Sequence, residues 1–312
     1  MGAVKNDNKK KLIFSSYNCR SLGEPKYEMV SELLSKSDFC LLQEHWMYPE
    51  RFLEVVKKEF KNTECIVTSP MNVNELTHGR PKGGTAILYN SKINAKIEKI
   101  DTECNRITAI MITIGSTHIL LITVYMPWDE QREGENLNEF IEVLDAIQSI
   151  CLACDTEYII VGGDFNCDLT RDVPQTHALK DFIENENFYL AINNGNSSIT
   201  HTHESLSTID HFMVTPNLSD FIIKYETMDT VRNFSDHIPI IMKMNIDIEY
   251  LQTVKRTISP TVSWATCTKE QTSRYQHEID KKIDEIELDF NIFTCRDPKC
   301  TIHGEQINSW YN

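Results

Sequence analysis

The sequence predicts a layered α/β sandwich, in which two mixed β-sheets pack face to face and helices cover their outer sides. Short runs of apolar, often β-branched residues alternate along the chain with segments whose apolar residues keep helical spacing. Several neighbouring runs are separated only by short turns, which join antiparallel strands, because two parallel strands need a longer crossover. Five runs end in polar residues, as strands do when they reach a functional rim.

The predicted elements follow in chain order, and most are bounded by Gly, Asn, Pro or a polar tip. The strands are predicted at Leu12–Tyr17, Phe39–Leu42, Thr85–Tyr89, Ile107–Ile114, Ile119–Tyr125, Tyr158–Val161, Ile209–Val214 and Ile238–Met244. Helices are predicted where apolar residues recur every three or four positions, at residues 27–34, 137–147 and 179–183. These elements form one predicted domain, residues 12–245.

The composition changes after about residue 245. Residues 257–268 are rich in Thr, Ser and Pro, which is typical of a linker. Helical spacing then resumes with Tyr275, Ile279, Ile283 and Ile286. The sequence therefore predicts that residues 246–312 form a linker followed by a C-terminal helical tail.

Composition and charge narrow the class of protein. With 312 residues, 41% hydrophobic and 25% charged, the chain has the composition of an ordinary globular protein. Its net charge of −15 argues against a passive nucleic-acid-binding protein, but not against an enzyme whose metal ligands are themselves acidic. No apolar stretch is long enough to cross a membrane. The 10 scattered cysteines indicate reduced thiols and an intracellular location.

The five polar tips carry carboxylates, amides and an imidazole. They are Ser16–Arg20, Leu42–Glu44, Gly163–Asn166, Ile209–His211 and Ser235–His237. Hydrolysis of a phosphodiester needs charge neutralisation on the phosphate, an activated water and help for the leaving oxygen. Side chains of these types can supply all three, so the tips predict one metal-dependent phosphodiesterase site.

Three of these side chains are candidate metal ligands. Mg²⁺ is a hard cation that prefers oxygen ligands and uses few protein carboxylates. Glu44, at a strand end, suits the principal ligand, and Asn18 can offer an amide oxygen beside it. Asp236 can bind the metal directly or through water.

The other candidates handle the water and the phosphate. Asp164 is suited to deprotonate or orient water, and Asn166 can donate a hydrogen bond to Asp164 or to the phosphate. His237 can donate to a phosphate oxygen when protonated, and Asp210 is its expected partner. The Tyr125 hydroxyl can reach the phosphate or a nearby carboxylate.

In these motifs the chain resembles the endonuclease/exonuclease/phosphatase superfamily. The matching elements are Tyr17–Arg20, Leu42–His45, Val124–Pro127, Gly163–Asn166, Ser207–His211 and Ser235–Pro239. They occur in family order and span Leu12 to Met244. The resemblance implies a four-layered α/β sandwich that uses Mg²⁺ or Mn²⁺ and no nucleotide cofactor. It also implies that Glu44 and Asn18 lie at the metal, that Asp164 and Asn166 handle the water, that Asp210 pairs with His237, and that Asp236 completes the site.

Within that superfamily the chain resembles the endonucleases of LINE-type (non-LTR) retrotransposons. The resemblance rests on Gly79–Ala86, Asn18–Leu22 and Ser207–His211. It implies DNA or phosphate contacts from Arg20, Thr200 and Ser235, although Thr202 lies close to Thr200. Abasic-site endonucleases usually have an acidic residue where Arg20 stands. Inositol polyphosphate phosphatases carry a different motif around Asp210, so both are disfavoured.

The predicted function is a metal-dependent DNA endonuclease that leaves 3′-hydroxyl and 5′-phosphate ends. It is expected to act as a monomer in the nucleus. Trp264, Tyr275 and the Cys295, Cys300, His303 cluster resemble the segment after a retrotransposon endonuclease, and no reverse transcriptase motif follows. Two alternatives stay open: another phosphodiesterase of this fold, such as an RNA exonuclease, and a domesticated copy that binds DNA without cutting.

Several cysteines and histidines are predicted to have no catalytic or metal-binding role. Cys295, Cys300 and His303 could bind zinc with a fourth ligand such as Cys267, but a loop without metal is favoured because the spacing is unusual. Cys151 and Cys154 are interpreted as packing thiols on a helix. No catalytic role is predicted for the histidines near the motifs, which are His45, His201, His203 and His211.

Overall fold

Two six-stranded sheets form the centre of the structure. The structure is a computed structural model that describes residues 9–71, 82–128 and 136–247, together with residues 268, 273–277 and 281. Among these residues, no helix is long and apolar enough to cross a membrane.

The sheets contain strands from the whole described domain. In chain order the strands are β1 (Lys9–Asn18), β2 (Phe39–Gln43), β3 (Thr63–Thr68), β4 (Thr85–Asn90), β5 (Lys96–Ile100), β6 (Ile107–Ile114), β7 (Thr117–Tyr125), β8 (Tyr158–Asp164), β9 (Tyr189–Leu190), β10 (Asp210–Val214), β11 (Ile222–Thr227) and β12 (Ile240–Asp247). The first sheet has the order β11-β12-β1-β2-β4-β3, and the second has the order β5-β6-β7-β8-β10-β9. Both are mixed, since β1–β2 and β7–β8 are parallel while the other pairs are antiparallel.

Four helices pack on the outer faces of the two sheets: α1 (Glu24–Lys36), α2 (Pro49–Glu59), α3 (Leu137–Ala153) and α4 (Pro174–Asn185). The short α5 (Pro216–Ser219) instead contributes Leu218 to the buried cluster that contains Phe14 and Ile160. Met29 of α1 and Phe52 of α2 are buried with residues of the first sheet, whereas Phe140 of α3 and Leu179 of α4 are buried with residues of the second. A third cluster, which includes Phe14 and Ile160, fills the space between the sheets. The predicted α/β sandwich of two mixed sheets flanked by helices is confirmed.

The four strands that the sequence did not predict are the four edges of the sheets, β3, β5, β9 and β11. Edge strands commonly carry charged residues that discourage pairing with another chain, so the apolar signal of an inner strand is missing. In β5, Lys96, Glu98 and Lys99 are exposed and alternate with partly buried isoleucines. Helix α2 was also not predicted, although Phe52, Val55 and Val56 are buried at helical spacing.

The tail lies largely outside the described residues. By its contacts the chain divides into two units, Met1–Thr261 and Val262–Asn312. In the second unit, residues 273–277 are helical. The rest of the predicted tail helix and the cluster of Cys295, Cys300 and His303 fall on residues that are not described. The predicted boundary near residue 245 therefore stays a prediction.

At Gly163 in β8, the backbone leaves no room for a side chain. Its φ is +152°, and a Cβ atom there would lie 2.0 Å from the carbonyl oxygen of Val124 in β7. We expect Gly163→Ala to destabilise the fold by about 3 kcal/mol or more, because a backbone oxygen inside a sheet cannot move aside. Thermal or urea unfolding measures this loss. Gly195→Ala is the control, since nothing lies within 4 Å of its Cβ position; equal stability of the two variants would contradict the account.

Candidate active site

The register of the strands brings the predicted tips to one rim. Asn18 ends β1 beside Gln43, the last residue of β2. In the second sheet, Asp164 of β8 lies opposite Asp210 of β10 and beside Tyr125 of β7. The loop between β11 and β12 adds residues 228–239, which include Asp236 and His237.

Asn18 connects the two sheets at this rim. Its amide nitrogen donates to Oε1 of Glu44 at 2.9 Å and to Oδ2 of Asp164 at 2.8 Å. Its amide oxygen accepts the backbone N–H of Arg20 at 2.9 Å. In this structure the oxygen therefore faces the backbone of Arg20, and its role as a metal ligand stays a prediction. Two carboxylates can only accept hydrogen bonds, so they select the amino side of the amide.

Glu44 lies just past β2 with φ of +55°, a left-handed conformation that is uncommon outside glycine. Its other oxygen, Oε2, accepts the indole N–H of Trp46 at 2.8 Å. Burial raises the pKa of the Tyr125 hydroxyl, and the nearby charges of Glu44 and Asp164 and a hydrogen bond to Glu44 raise it further. Tyr125 is therefore a neutral donor to a carboxylate, one of its two predicted contacts.

Asp164 is fully buried and held by two donors. Oδ2 accepts from Asn18, and Oδ1 accepts the backbone N–H of Asn166 at 2.8 Å. Burial raises the pKa of Asp164 to about 7; the cationic ring of His237 opposes this rise, and the negative charge of Asp210 adds to it. The side-chain amide nitrogen of Asn166 donates to the carbonyl oxygen of Met126 at 2.8 Å, and its hydrogen bond to Asp164 or to the phosphate stays a prediction.

His237 and Asp210 form a buried ion pair. Nδ1 of His237 donates to Oδ2 of Asp210 at 2.9 Å, and Nε2 lies 3.8 Å from Oδ2 of Asp164. Burial alone would lower the pKa of His237, but the negative charges of Asp210 and Asp164 and the hydrogen bond to Asp210 raise it to about 10. The ring is therefore a cation at neutral pH.

Asp236 accepts from the guanidinium of Arg20 at the cleft surface. Burial alone would raise the pKa of Asp236, but the positive charges of His237 and Arg20 lower it, so the group is a carboxylate. Ser235 was predicted to bind phosphate, yet its hydroxyl donates to the carbonyl oxygen of Asn18 at 2.8 Å. Ser235 therefore ties this loop to the end of β1.

These groups surround an open cleft of about 600 Å³. Of the predicted residues, Arg20, Glu44, Tyr125, Asn166, Asp236 and His237 line it. Asn18, Asp164 and Asp210 lie behind them and are buried. The wall also contains Lys82, Arg171, Trp46 and Trp128, which give the cleft positive charge and aromatic surface despite the negative net charge of the chain.

Thr200 is not among the residues that line the cleft, and its hydroxyl pairs with the ring of His201 at 3.0 Å. The neighbouring Thr202 has the closer connection to the site. Its buried hydroxyl accepts the backbone N–H groups of Ile209 and Asp210, both at 3.0 Å. The proximity of the two threonines in the sequence was a signal, but only the fold distinguishes their positions.

The structure shows which of the nearby histidines lie at the cleft. His45 is buried, and its ring binds the backbone of Met47 and Thr68, away from the cleft. His211 is buried and donates to the carbonyl oxygen of Cys167 at 3.0 Å. His203, for which no role was predicted, lines the cleft beside Asp236 and His237. Trp46 was also missed, although it follows Glu44 by two residues.

The donor set fits a hard divalent cation. Glu44 and Asp236 are carboxylates on the cleft wall, and Mg²⁺ commonly takes one or two carboxylates and keeps several waters. Among the described residues, two further groups bring three ligand atoms within 4.8 Å of one another. They are His203, Asp236, His237 and Asp164, Asp210, His237. Both include the protonated ring of His237, which has no free lone pair, so they suit a metal less well.

The sequence places these residues in a known family. The sequence pattern of the Endonuclease/Exonuclease/phosphatase family matches residues 15–237, which is more than half of the chain. The chain belongs to this family. Its members are hydrolytic nucleases and phosphatases, so the predicted family and broad class of chemistry are confirmed. No curated protein matches the chain closely.

Solved structures share the fold of the described domain. The endonuclease domain of TRAS1, a telomere-specific non-LTR retrotransposon, is 17% identical with a TM-score of 0.58, over 76% of this chain and all (100%) of that domain. AP endonuclease LMAP from Leishmania major is 14% identical with a TM-score of 0.60, over 76% of this chain and 88% of that one. The human Nocturnin catalytic domain is 14% identical with a TM-score of 0.52, over 75% and 96% of the two chains. Identities this low show a common fold alone.

Proposed function

We propose that this protein is a divalent-metal-dependent DNA endonuclease that hydrolyses one strand to 3′-hydroxyl and 5′-phosphate ends. The observation that carries the proposal is the network at the rim, where Asn18 joins Glu44 to Asp164 and where Asp210 holds a cationic His237 beside Asp164. It combines a carboxylate on the cleft, a buried carboxylate and a positive charge, the three kinds of group that phosphodiester hydrolysis requires.

Glu44, and Asp236 directly or through water, would hold Mg²⁺ or Mn²⁺. When bound, this ion would neutralise charge on the phosphate and on the leaving oxygen. Glu44 keeps a lone pair for it, because a carboxylate offers about four sites and three are taken by Asn18, Trp46 and Tyr125.

Asp164 would orient and deprotonate the attacking water. Its carboxyl has a pKa raised by burial, so it is a stronger base than an exposed aspartate. Its two hydrogen bonds to Asn18 and Asn166 fix the direction of the remaining lone pairs. The His237 ring would donate from Nε2 to a non-bridging phosphate oxygen, with Asp210 keeping the proton on Nδ1.

Two observations favour DNA and a retrotransposon origin for this branch of the family. The Gly-rich segment at 79–86 and the Arg20 motif resemble LINE-type endonucleases, and TRAS1 is among the structures with the same fold. We propose that residues 12–245 form the catalytic domain and act as a monomer. Residues 246–312 would be an appended segment, and a DNA substrate implies nuclear residence.

Nicking of covalently closed plasmid tests the proposal, because closed circles offer no ends to an exonuclease. Wild type is expected to convert supercoiled plasmid to open circles in Mg²⁺ or Mn²⁺. EDTA is expected to abolish conversion, and excess Mg²⁺ to restore it. End-labelling of the nicks is expected to give 3′-hydroxyl and 5′-phosphate termini.

The other functions give different results in the same assay. Shortening of linear DNA or RNA from its end, with plasmid left intact, would mean an exonuclease. Protection of DNA without any cutting in either metal would mean a non-catalytic DNA-binding copy. Either result would overturn the endonuclease proposal.

A further inference from the structure

The segment around His203 is fastened to the catalytic loop by backbone hydrogen bonds. Ile238 donates its N–H to the carbonyl oxygen of Thr202 at 2.7 Å, and Glu204 donates to that of Asp236 at 2.9 Å. Between these two bonds, His203 and His237 form an antiparallel bridge. The position of His203 beside the reacting groups is therefore set by the fold and not by a mobile side chain.

The tautomer of His203 follows from its hydrogen bonds. Nδ1 accepts the backbone N–H of Ser205 at 3.1 Å, which requires a lone pair on that nitrogen. The ring is therefore neutral and carries its proton on Nε2. This tautomer argues against a metal ligand at Nε2.

The Nε2–H group of His203 faces the cleft without a close acceptor among the described residues. Oδ2 of Asp236 lies 3.6 Å from Nε2, which is too long for a hydrogen bond. The ring packs edge-to-face against His237, with centroids 4.8 Å apart. A neutral donor thus stands next to the cationic donor of His237, on the same wall of the cleft.

We propose that His203 is a further substrate-contacting residue, whose Nε2–H donates to a non-bridging oxygen of the scissile phosphate. The inference rests on the proposed phosphodiesterase function and assigns a second imidazole to it. A phosphate has two non-bridging oxygens, and His237 has only one nitrogen free to donate, because Nδ1 is bound to Asp210. His203 supplies a separate donor for the phosphate without adding charge.

Four variants, assayed by plasmid nicking in Mg²⁺, test this role. His203→Gln keeps a donor near the Nε2 position, whereas His203→Asn places its amide near Nδ1. His203→Phe keeps the ring that packs on His237 but has no donor. His201→Ala is the matched control, because His201 is two residues away on the same loop and does not line the cleft.

The donor role predicts an order of activity. The Phe and Asn variants are expected to lose about 10- to 100-fold in kcat/KM, the usual effect of removing a hydrogen bond to a charged group. The Gln variant is expected to recover a large part of this loss, and His201→Ala to stay within about twofold of wild type. Melting temperatures of all four variants identify any that do not fold. If the Phe variant does not fold, the comparison of the Gln and Asn variants tests the donor role instead.

Two outcomes overturn the inference. If the Phe variant is as active as wild type and the Gln variant is impaired, His203 acts only through ring packing. If all four variants match wild type, it has no role. Wild type that cuts neither plasmid nor linear nucleic acid would instead overturn the proposed function itself, so the two failures are distinguishable.

Discussion

Replacing Glu44 with glutamine is expected to lower the rate of DNA nicking by about 10³-fold or more, because it removes the charge that would hold the metal ion. Glutamine has nearly the same shape, so the loop should keep its path. Its amide offers one oxygen and one nitrogen, however, and the two oxygens of Glu44 accept from Asn18 and Trp46. One of these donors therefore loses its partner as well.

The measurement compares nicking rates over a titration of Mg²⁺ and Mn²⁺. Glu54→Gln, on an exposed turn of α2, is the control and is expected to match wild type. Weaker metal binding should appear as a shift of the titration to higher Mg²⁺, in addition to a lower rate at saturation. If folded Glu44→Gln nicks as fast as wild type at every metal concentration, Glu44 is not the metal ligand.

Asp210→Asn is expected to lower kcat by about 10²- to 10⁴-fold, the range for loss of a proton-donating or accepting group. Asparagine keeps a hydrogen bond to Nδ1 of His237 but removes the largest of the negative charges that keep the ring protonated. The pKa of His237 should therefore fall from its value of about 10. The fraction of enzyme with a cationic ring decreases accordingly as pH rises.

NMR titration of the imidazole resonances in the metal-free protein measures the pKa directly. Asp181→Asn, exposed on α4, is the control for loss of one negative charge elsewhere. His237→Ala should show a loss of activity at least as large as that of Asp210→Asn. An unchanged pKa of His237, or full activity in folded Asp210→Asn, would contradict the role assigned to this ion pair.

The inner strands could be predicted from sequence because they are buried on both faces. The predicted Ile107–Ile114 run is β6 without change, and all the other predicted strands overlap observed ones. Edge strands such as β5 carry charges on the exposed side, so their apolar run is too short to detect. The way two sheets stack depends on contacts between residues far apart in the sequence, which periodicity does not report.

For the site, the sequence could predict which residues take part but not how their side chains are oriented. The motifs identified which carboxylates and which imidazole meet at the rim, because each lies at the end of a strand or in the loop that joins two strands. They could not show that Asn18 turns its amino group to the carboxylates, since that depends on Glu44 and Asp164 acting together. Nor could they separate Thr202 from Thr200, or bring His203 to Asp236, because loop path decides both.

The most direct test of the central claim is nicking of supercoiled plasmid in H₂¹⁸O with Mg²⁺, followed by mass analysis of the new ends. Attack of water on phosphorus, with the 3′-oxygen leaving, predicts ¹⁸O in the 5′-phosphate and an unlabelled 3′-hydroxyl. The label should be absent when folded Glu44→Gln replaces wild type for the same time. Plasmid that stays intact in both Mg²⁺ and Mn²⁺, or nicks that carry a 3′-phosphate, would contradict the proposal.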